Sequence, residues 1–316
     1  MYGLSGESTI SLFGQHFSAY DYFYIRERDF SFMNPDFDIF IIAEAGINHN
    51  GDIALAKRLM DIAKSAGCDA VKFQKRAPEI CVPEAMRNVM RETPWGQMTY
   101  FDYKKRIEFG SDEYDEIDRY AKEIGIAWSA SAWDLPSLDF LEKYELPFHK
   151  VASALATNIP FLKAIAKIGK LTYASTGMCT WVDIDTIVRI FAEARCPIVL
   201  MHTISTYPAE ESQLNLRMIQ TLAERYGLPV GYSGHEASIS PSITAAALGA
   251  VAVERHITID RAMWGTDHSA SLEPAGLTNL VGALRKVAGS LGDGERKVVP
   301  GEASMAKKMR YWEADE

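Results

Sequence analysis

Cysteine is scarce in this chain, and Cys68, Cys81, Cys179 and Cys196 stand apart with no C-x-x-C pair among them. That spacing offers neither a disulfide framework nor a zinc knuckle, and it fits reduced, mostly buried thiols. No run reaches the roughly eighteen uncharged apolar residues of a membrane-spanning helix. The amino terminus lacks the basic start and apolar block of a secretory signal, so the cytoplasm is the expected compartment. Positive charge is in deficit, with 33 Lys and Arg against 42 Asp and Glu and a formal net charge of −9. Nucleic acid and anionic lipid are both bound through basic surface, so neither is an expected partner. An anionic substrate would need a local basic pocket. Internal repeats and low-complexity segments are missing as well.

What is present is a long apolar chain. Its 316 residues are 47% apolar, enough for one α/β barrel or two ordinary domains. Short β-rich runs at 40–43, 70–73, 127–129, 149–152, 171–174, 198–201, 230–232 and 251–255 alternate with helical patterns. Such alternation implies parallel strands joined by helical crossovers. The nearly continuous apolar character of these runs suits strands covered on both faces, as in a closed (β/α)8 TIM barrel; an open doubly wound sheet is the alternative. Helix signals support the count. Asp52 precedes Ile53, Ala56, Leu59, Met60 and Ala63 on one side, and Gly67 supplies a left-handed stop. Ser111, Asp112 and Glu113 open an acidic first turn that complements a helix amino end, and Gly125 closes that helix.

Residues 40–292 therefore read as the barrel, 1–39 as a hairpin or cap across its bottom, and 293–316 as a tail. Residues 75–110 interrupt the regular spacing and carry Arg76, Arg87, Arg91, Trp95, Tyr100, Tyr103, Lys104, Lys105 and Arg106. This insertion leaves the carboxyl end of the second strand, on the face where barrel enzymes place their sites, which makes it a candidate lid; a solvated charged helix is the alternative.

Polar residues end the apolar runs where packing alone would not ask for them: Glu44, Lys72 with Gln74, Ser131, Lys150 with Ser153, Ser175 with Thr176, His202, Ser233 with His235, and Glu254 with His256. Alternation puts Lys72 and Gln74 on one side of their strand, and likewise Glu254 and His256. Two ammonium groups among several hydroxyls describe a cradle for phosphate and carboxylate. One lysine is not enough, since a hydrogen bond to a charged group contributes about 1.5–3 kcal/mol while association costs ~4–15 kcal/mol. His235 and His256 lie twenty-one positions apart, a spacing that suits one loop, helix and strand. Imidazoles leaving neighbouring strand ends toward one side can converge on a single ion at ~2.0–2.1 Å. A metal-dependent lyase or transferase follows as the expected class.

The segment Ile42-Ala43-Glu44-Ala45-Gly46-Ile47-Asn48-His49-Asn50-Gly51-Asp52 resembles the opening signature of the sialic acid synthases. Val71-Lys72-Phe73-Gln74, His149-Lys150-Val151-Ala152-Ser153, Ser175-Thr176-Gly177-Met178, Gly231-Tyr232-Ser233-Gly234-His235-Glu236, Glu254-Arg255-His256 and the block at 265–274 resemble further blocks of that family, in order. The likeness runs from about residue 40 to about 292. It implies condensation of phosphoenolpyruvate with an open-chain N-acylmannosamine-type sugar, an N-acylated amino sugar, to give a nine-carbon 2-keto acid and phosphate. It further implies a divalent metal, Mn2+ or Mg2+, on His235 and His256, with Glu44 near the reacting centre. Lys72, Gln74, Ser131, Lys150, Ser153, Ser175 and Ser233 resemble the phosphoenolpyruvate cradle, and Ser205, Tyr207 and Asp267 the sugar contacts. His202 matches a position that is not a metal ligand in similar proteins.

Ser205 departs from the asparagine of some bacterial members and Gly234 from their aspartate, although Gly-Tyr-Ser-Gly-His also resembles animal-type members. Many relatives form homodimers in which an appended antifreeze-like domain lends an arginine to the partner's sugar site. The tail after Gly292 has room for a helix or strand but not for that domain, which argues against the swapped dimer and its arginine and leaves the insertion to close the site; a homodimer or other homo-oligomer is still expected. Legionaminate, pseudaminate or a phosphorylated sugar would require only different pocket side chains. From another class, a non-catalytic barrel acting as a partner subunit, and a Schiff-base aldolase using Lys72 or Lys150, are the alternatives.

Overall fold

The computed structural model describes residues 10–12, 15–17 and 39–313. Eight strands run parallel: β1 (Phe40–Gly46), β2 (Ala70–Lys75), β3 (Ala127–Ala132), β4 (His149–Val151), β5 (Thr172–Ser175), β6 (Ile198–Thr203), β7 (Val230–Gly234) and β8 (Ala252–His256). A crossover helix follows each: α1 (Ile53–Ala66), α2 (Ser111–Ile124), α3 (Leu135–Leu141), α4 (Ile159–Ile168), α5 (Trp181–Glu193), α6 (Met218–Tyr226), α7 (Ser240–Ala247) and α8 (Pro274–Leu291). The hydrogen-bonded order is β3-β2-β1-β8-β7-β6-β5-β4. Pairing of β1 with β8, Ile41 opposite Val253, joins the first strand to the last. That circular order is the (β/α)8 TIM barrel and rules out a doubly wound sheet. Between β3 and the short β4 the ladder gives way to a side chain, Ser129 donating its hydroxyl to the Phe148 carbonyl at 2.7 Å.

Strand alternation divides the interior into levels. Phe40, Ile42, Ala70, Phe148, Leu171, Tyr173, Val199, Met201 and Ala252 form an apolar floor inside the barrel. Tyr173 stacks on Phe40 with ring centres 6.2 Å apart and meets Phe148 edge-on at 5.0 Å. Two residues further along β1, β2 and β8 the same inward face presents Glu44, Lys72 and Glu254, so the polar level rests on an apolar base. The alternate residues Ile41, Ala43, Val71, Phe73 and Val253 join the shell between strands and helices.

Local signals act as the sequence reads. Asp52 Oδ1 accepts the Ala54 amide at 2.7 Å and Gly67 ends α1 at φ 86°. Helix α2 begins at Ser111 under the cap residue Gly110, whose amide donates to Glu113 Oε2 at 2.8 Å. The insertion has its own structure: Pro78–Cys81 and Glu84–Arg87 are short helices, Met90–Thr93 pairs with Gly96–Thr99, and Tyr100–Ile107 is a helix. Its buried Tyr103 and Ile107 pack on Ile47 beyond β1, and Tyr103 meets Trp264 of the loop after β8 edge-on at 4.9 Å. It is thus folded against the mouth on the β1–β8 side rather than being a free charged helix. Ile10–Leu12 and Gln15–Phe17 form an antiparallel pair; the expected cap, including the aromatic run at 20–24, otherwise lies outside the described residues. The tail contains a helix, Pro300–Met309.

Candidate active site

The carboxyl ends of the strands surround a cleft of about 180 Å³. Glu44, Lys72, Gln74, Ser131, Lys150, Ser153, Ser175, Ser205, Tyr207, Ser233, His235 and His256 all line it. Parallel register explains the convergence. His256 lies opposite Glu44, Glu44 opposite Lys72, Gln74 opposite Ser131, and Ser233 opposite Glu254, so inward positions of neighbouring strands fall level. The ladder slips between Glu44 and Gly46, where Gly46 takes φ +54° and a Cβ would press on Gln74 Nε2 and the His256 ring. Glycine therefore lets β1 end close under two functional side chains.

At the bottom the two lysines are not bare. Lys72 Nζ lies 2.7 Å from Glu44 Oε1 and 3.6 Å from Glu254 Oε1, and Lys150 Nζ lies 3.0 Å from the same Glu254 oxygen. Gln74 Nε2 donates to Glu44 Oε1 at 2.9 Å and Ser233 to Glu254 Oε1 at 3.2 Å. Lys72 is 1% exposed and Glu44 5%, and charges this deep persist only when paired. The cradle of two ammonium groups expected from the sequence thus contains two interleaved carboxylates. Glu254 was legible as a strand-end residue facing with His256, but its role as the counter-charge of both lysines depends on three strands meeting.

Charge sets the protonation of the cluster. Burial alone would raise Glu44, but His256, Lys72 and Lys150 outweigh it and hold the carboxyl well below its usual range. Burial opposes the charge on Lys72, yet Glu254 and Glu44 raise its pKa. Lys150 is pulled down, by burial first, with Glu254 opposing.

The histidines differ in their surroundings. His235 is pushed down to about 4 by burial and by His256. Its Nδ1 lies 2.6 Å from the Ile204 carbonyl, which fixes the proton there and leaves Nε2 a lone pair. Tyr207 hydroxyl sits 2.9 Å from that Nε2, so it donates. His256 Nε2 is 3.5 Å from Glu44 Oε2, and its buried Nδ1 has no partner among the described residues. The two ring centres are 5.7 Å apart. An ion bonded at ~2.1 Å to one nitrogen of each ring can bridge that gap. Neutral His235 with an outward lone pair and an orphaned His256 nitrogen therefore fit a divalent ion. Among the described residues no group of three or more His, Cys, Asp and Glu could hold one, so two imidazoles would leave most of a coordination sphere open.

Ser175 Oγ, Ser205 Oγ and Glu254 Oε2 are also buried without a partner among the described residues. A Cβ on Gly177 would collide with the hydroxyls of Ser205 and Ser153, so the backbone after β5 approaches both serines closely. Two residues fall elsewhere. Asp267 does not line the cleft; its carboxylate accepts the Thr266 hydroxyl at 2.7 Å at the start of the turn His268–Ala270. His202 faces away, its Nε2 2.7 Å from the Leu214 carbonyl. Trp133, Met178 and Thr203 line the cleft without having been singled out in the sequence; Trp133 and Met178 lie beyond their strands and carry no strand-end polar signal, whereas Thr203 ends β6 beside His202.

A TIM barrel whose mouth holds paired lysines and carboxylates beneath two histidines has the architecture of a barrel enzyme. Comparison makes this particular. Residues 59–296 match the model of the NeuB family, and the chain belongs to that family. It is 38% identical over 273 residues to human N-acetylneuraminate-9-phosphate synthase, spanning 85% of this chain and 76% of that one. It is 37% identical over 267 residues to the N,N'-diacetyllegionaminic acid synthase of Campylobacter jejuni, spanning 83% of this chain and 80% of that one. Among solved structures it resembles the N-acetylneuraminic acid synthetase of Leptospira borgpetersenii, crystallised with citrate. The TM-score is 0.78 and the identity 30%, over 97% of this chain and 98% of that one. No helix among the described residues is long and apolar enough to cross a membrane.

Proposed function

We propose that this chain condenses phosphoenolpyruvate with an open-chain N-acylmannosamine-type sugar to give a nonulosonic acid and inorganic phosphate. The observation that carries the reading is the buried cluster of Glu44, Lys72, Lys150 and Glu254 directly beneath His235 and His256, in a member of a synthase family.

Lys72 and Lys150, with Gln74, Ser131, Ser153, Ser175 and Ser233, bind the phosphate and carboxylate of the donor through charge-assisted hydrogen bonds. Unpartnered Ser175 Oγ is ready to donate. Carbon 3 of the enol bonds to the aldehyde carbon, whose oxygen takes up a proton. Water adds to carbon 2 and gives up one proton; the bond from carbon 2 to the phosphate oxygen then breaks as the new hydroxyl passes its remaining proton to the departing phosphate, leaving the 2-keto acid. Glu44, held ionised by its cationic neighbours, is placed to accept the proton that water loses. Ser205 and Tyr207 face the sugar from the loop after β6. His235 and His256 would hold the divalent ion, manganese or magnesium, and that ion supplies Lewis-acid polarisation of the carbonyl under attack.

A phosphate-release assay with phosphoenolpyruvate, a panel of N-acylated hexosamines, and manganese added or chelated tests donor, acceptor and metal together. Release that needs both a sugar and the ion is the expected result. Release independent of sugar, or none with any member of the panel, would overturn the reading. Trapping of phosphoenolpyruvate-derived keto acid by borohydride on Lys72 or Lys150 would instead establish a Schiff-base aldolase.

A further inference from the structure

One wall of the cleft is apolar. Trp133, Ala152, Ala154 and Met178 form it, and they follow the ends of β3, β4 and β5. In a closed ring of eight strands, β3 and β4 stand opposite β7 and β8, so this wall faces His235 and His256 across the mouth. Tyr207 aside, every other lining residue among the described residues is polar or charged.

Two features of the wall are unsatisfied. Trp133 Nε1 is buried and has no hydrogen-bond partner among the described residues. Its residue is held in place, because the Trp133 amide donates to the Lys75 carbonyl at 3.0 Å and the Arg76 guanidinium lies 3.9 Å from the ring centre. A fixed, buried donor left unpaired is costly, and it marks a place where a ligand atom can accept. Met178 is the second feature. It lines the cleft yet is 70% exposed, and its backbone holds φ 62°, a left-handed value that is unfavourable for a residue with a Cβ. Such conformations persist only where the surrounding structure holds them, and they cluster at ligand-binding sites.

An apolar wall with one free donor matches a single group among the reactants. Phosphoenolpyruvate is anionic at both ends, and the sugar is otherwise a chain of hydroxyls. The N-acyl group alone joins an acceptor oxygen to an apolar carbon. It branches from the carbon next to the aldehyde, and the cleft is only about 180 Å³, so a sugar whose aldehyde lies at the histidines carries this branch toward the facing wall. We propose that the wall is the N-acyl subsite, where Trp133 Nε1 donates to the acyl carbonyl and Met178 with Ala154 packs on the acyl carbon chain. Met178 thereby becomes a specificity residue, since a flexible thioether sets how long an acyl chain the wall accepts. This inference rests on the condensation reading, and its test separates the two.

Phosphate release would be measured with mannose and with N-acetyl-, N-propanoyl- and N-butanoylmannosamine, in the parent chain, Trp133→Phe, Met178→Ala and Met178→Leu. Trp133→Phe keeps an aromatic face beneath Arg76 and removes the N–H. It should raise the KM for N-acetylmannosamine about tenfold, with the KM for phosphoenolpyruvate unmoved. Met178→Ala should weaken N-acetylmannosamine severalfold and move the preference toward the longer acyl chains, while Met178→Leu keeps the parent order. A parent that takes mannose as well as N-acetylmannosamine would overturn the subsite and leave the condensation standing. So would a Trp133→Phe variant that shifts the donor KM equally, or a Met178→Ala variant with the parent's order of acyl chains. Should no sugar support release, the condensation fails, and nuclear magnetic resonance then decides the subsite alone. With isotope-labelled methionine methyl groups and magnesium present, the Met178 methyl is assigned by its loss in Met178→Leu. A nuclear Overhauser contact between that methyl and the acyl methyl of N-acetylmannosamine supports the subsite, and its absence overturns it.

Discussion

Arg255 and Glu236 form a buried ion pair, Nη1 to Oε1 at 3.0 Å, and each is the chain neighbour of one of the two histidines. Arg255 also donates to the Ser238 carbonyl at 2.9 Å, to Ser242 Oγ at 3.0 Å and to the Glu236 carbonyl, while Tyr232 hydroxyl donates to Glu236 Oε2 at 2.8 Å. Alternation turns Arg255 outward from β8 while His256 turns inward, so the pair ties β7 to β8 behind the imidazoles and fixes their separation.

Removing one partner of such a pair strands the other charge in the interior, which costs about 3–5 kcal/mol. Arg255→Met is therefore expected to lower the urea midpoint sharply, and Arg255→Met/Glu236→Gln to recover part of the loss. A single variant as stable as the parent would contradict the clamp.

Gly177→Ala is expected to displace Ser153 and Ser205, since the added Cβ would overlap both hydroxyls. With two cradle contacts disturbed, KM for donor or sugar should rise roughly tenfold, with the thermal midpoint changed little. Unaltered kinetics would show that the serines do not contact ligand.

The hydroxyl of Tyr207 occupies the lone pair of His235 that an ion would use. Tyr207→Phe removes that competitor, so manganese affinity measured by calorimetry should rise severalfold, by about the net value of one hydrogen bond. A fall in affinity would mean that the hydroxyl supports the ion instead of excluding it.

His49 is pushed down to about 3 by burial; its ring stacks on Phe109 at 3.9 Å and its Nδ1 accepts the Gly51 amide at 3.1 Å. The unfolded histidine binds a proton near pH 6.5 while the folded one does not. Its stabilising contribution is complete above about 6.5 and is lost as pH falls toward 3, at up to ~1.4 kcal/mol per pH unit. Urea midpoints from pH 7 to 4 should decline less steeply in His49→Phe than in the parent. Equal slopes would assign the acid sensitivity elsewhere.

Sequence periodicity located all eight strands, and the caps Asp52 and Gly67 bounded α1, because these signals depend on backbone sterics and hydrogen bonding within a few residues. The inward set of Lys72, Gln74 and His256 was legible for the same reason: alternation along a strand is a local rule. Only the closed barrel decided that Glu254 would neutralise both Lys72 and Lys150, that Asp267 would stay outside the cleft lining, and that Tyr207 would cap His235. It also decided that Arg76, Arg91, Lys104 and Arg106 of the insertion would lie over aromatic rings, while Lys75, Arg87 and Lys105 also found acids. Those relationships join residues far apart in the chain, 104 positions for Lys150 and Glu254 and more for Lys72 and Glu254, and which charges meet is set by strand register and ring closure. A one-dimensional pattern fixes which side of its own strand a residue faces; which residue it faces there is settled by the packing of distant strands against one another.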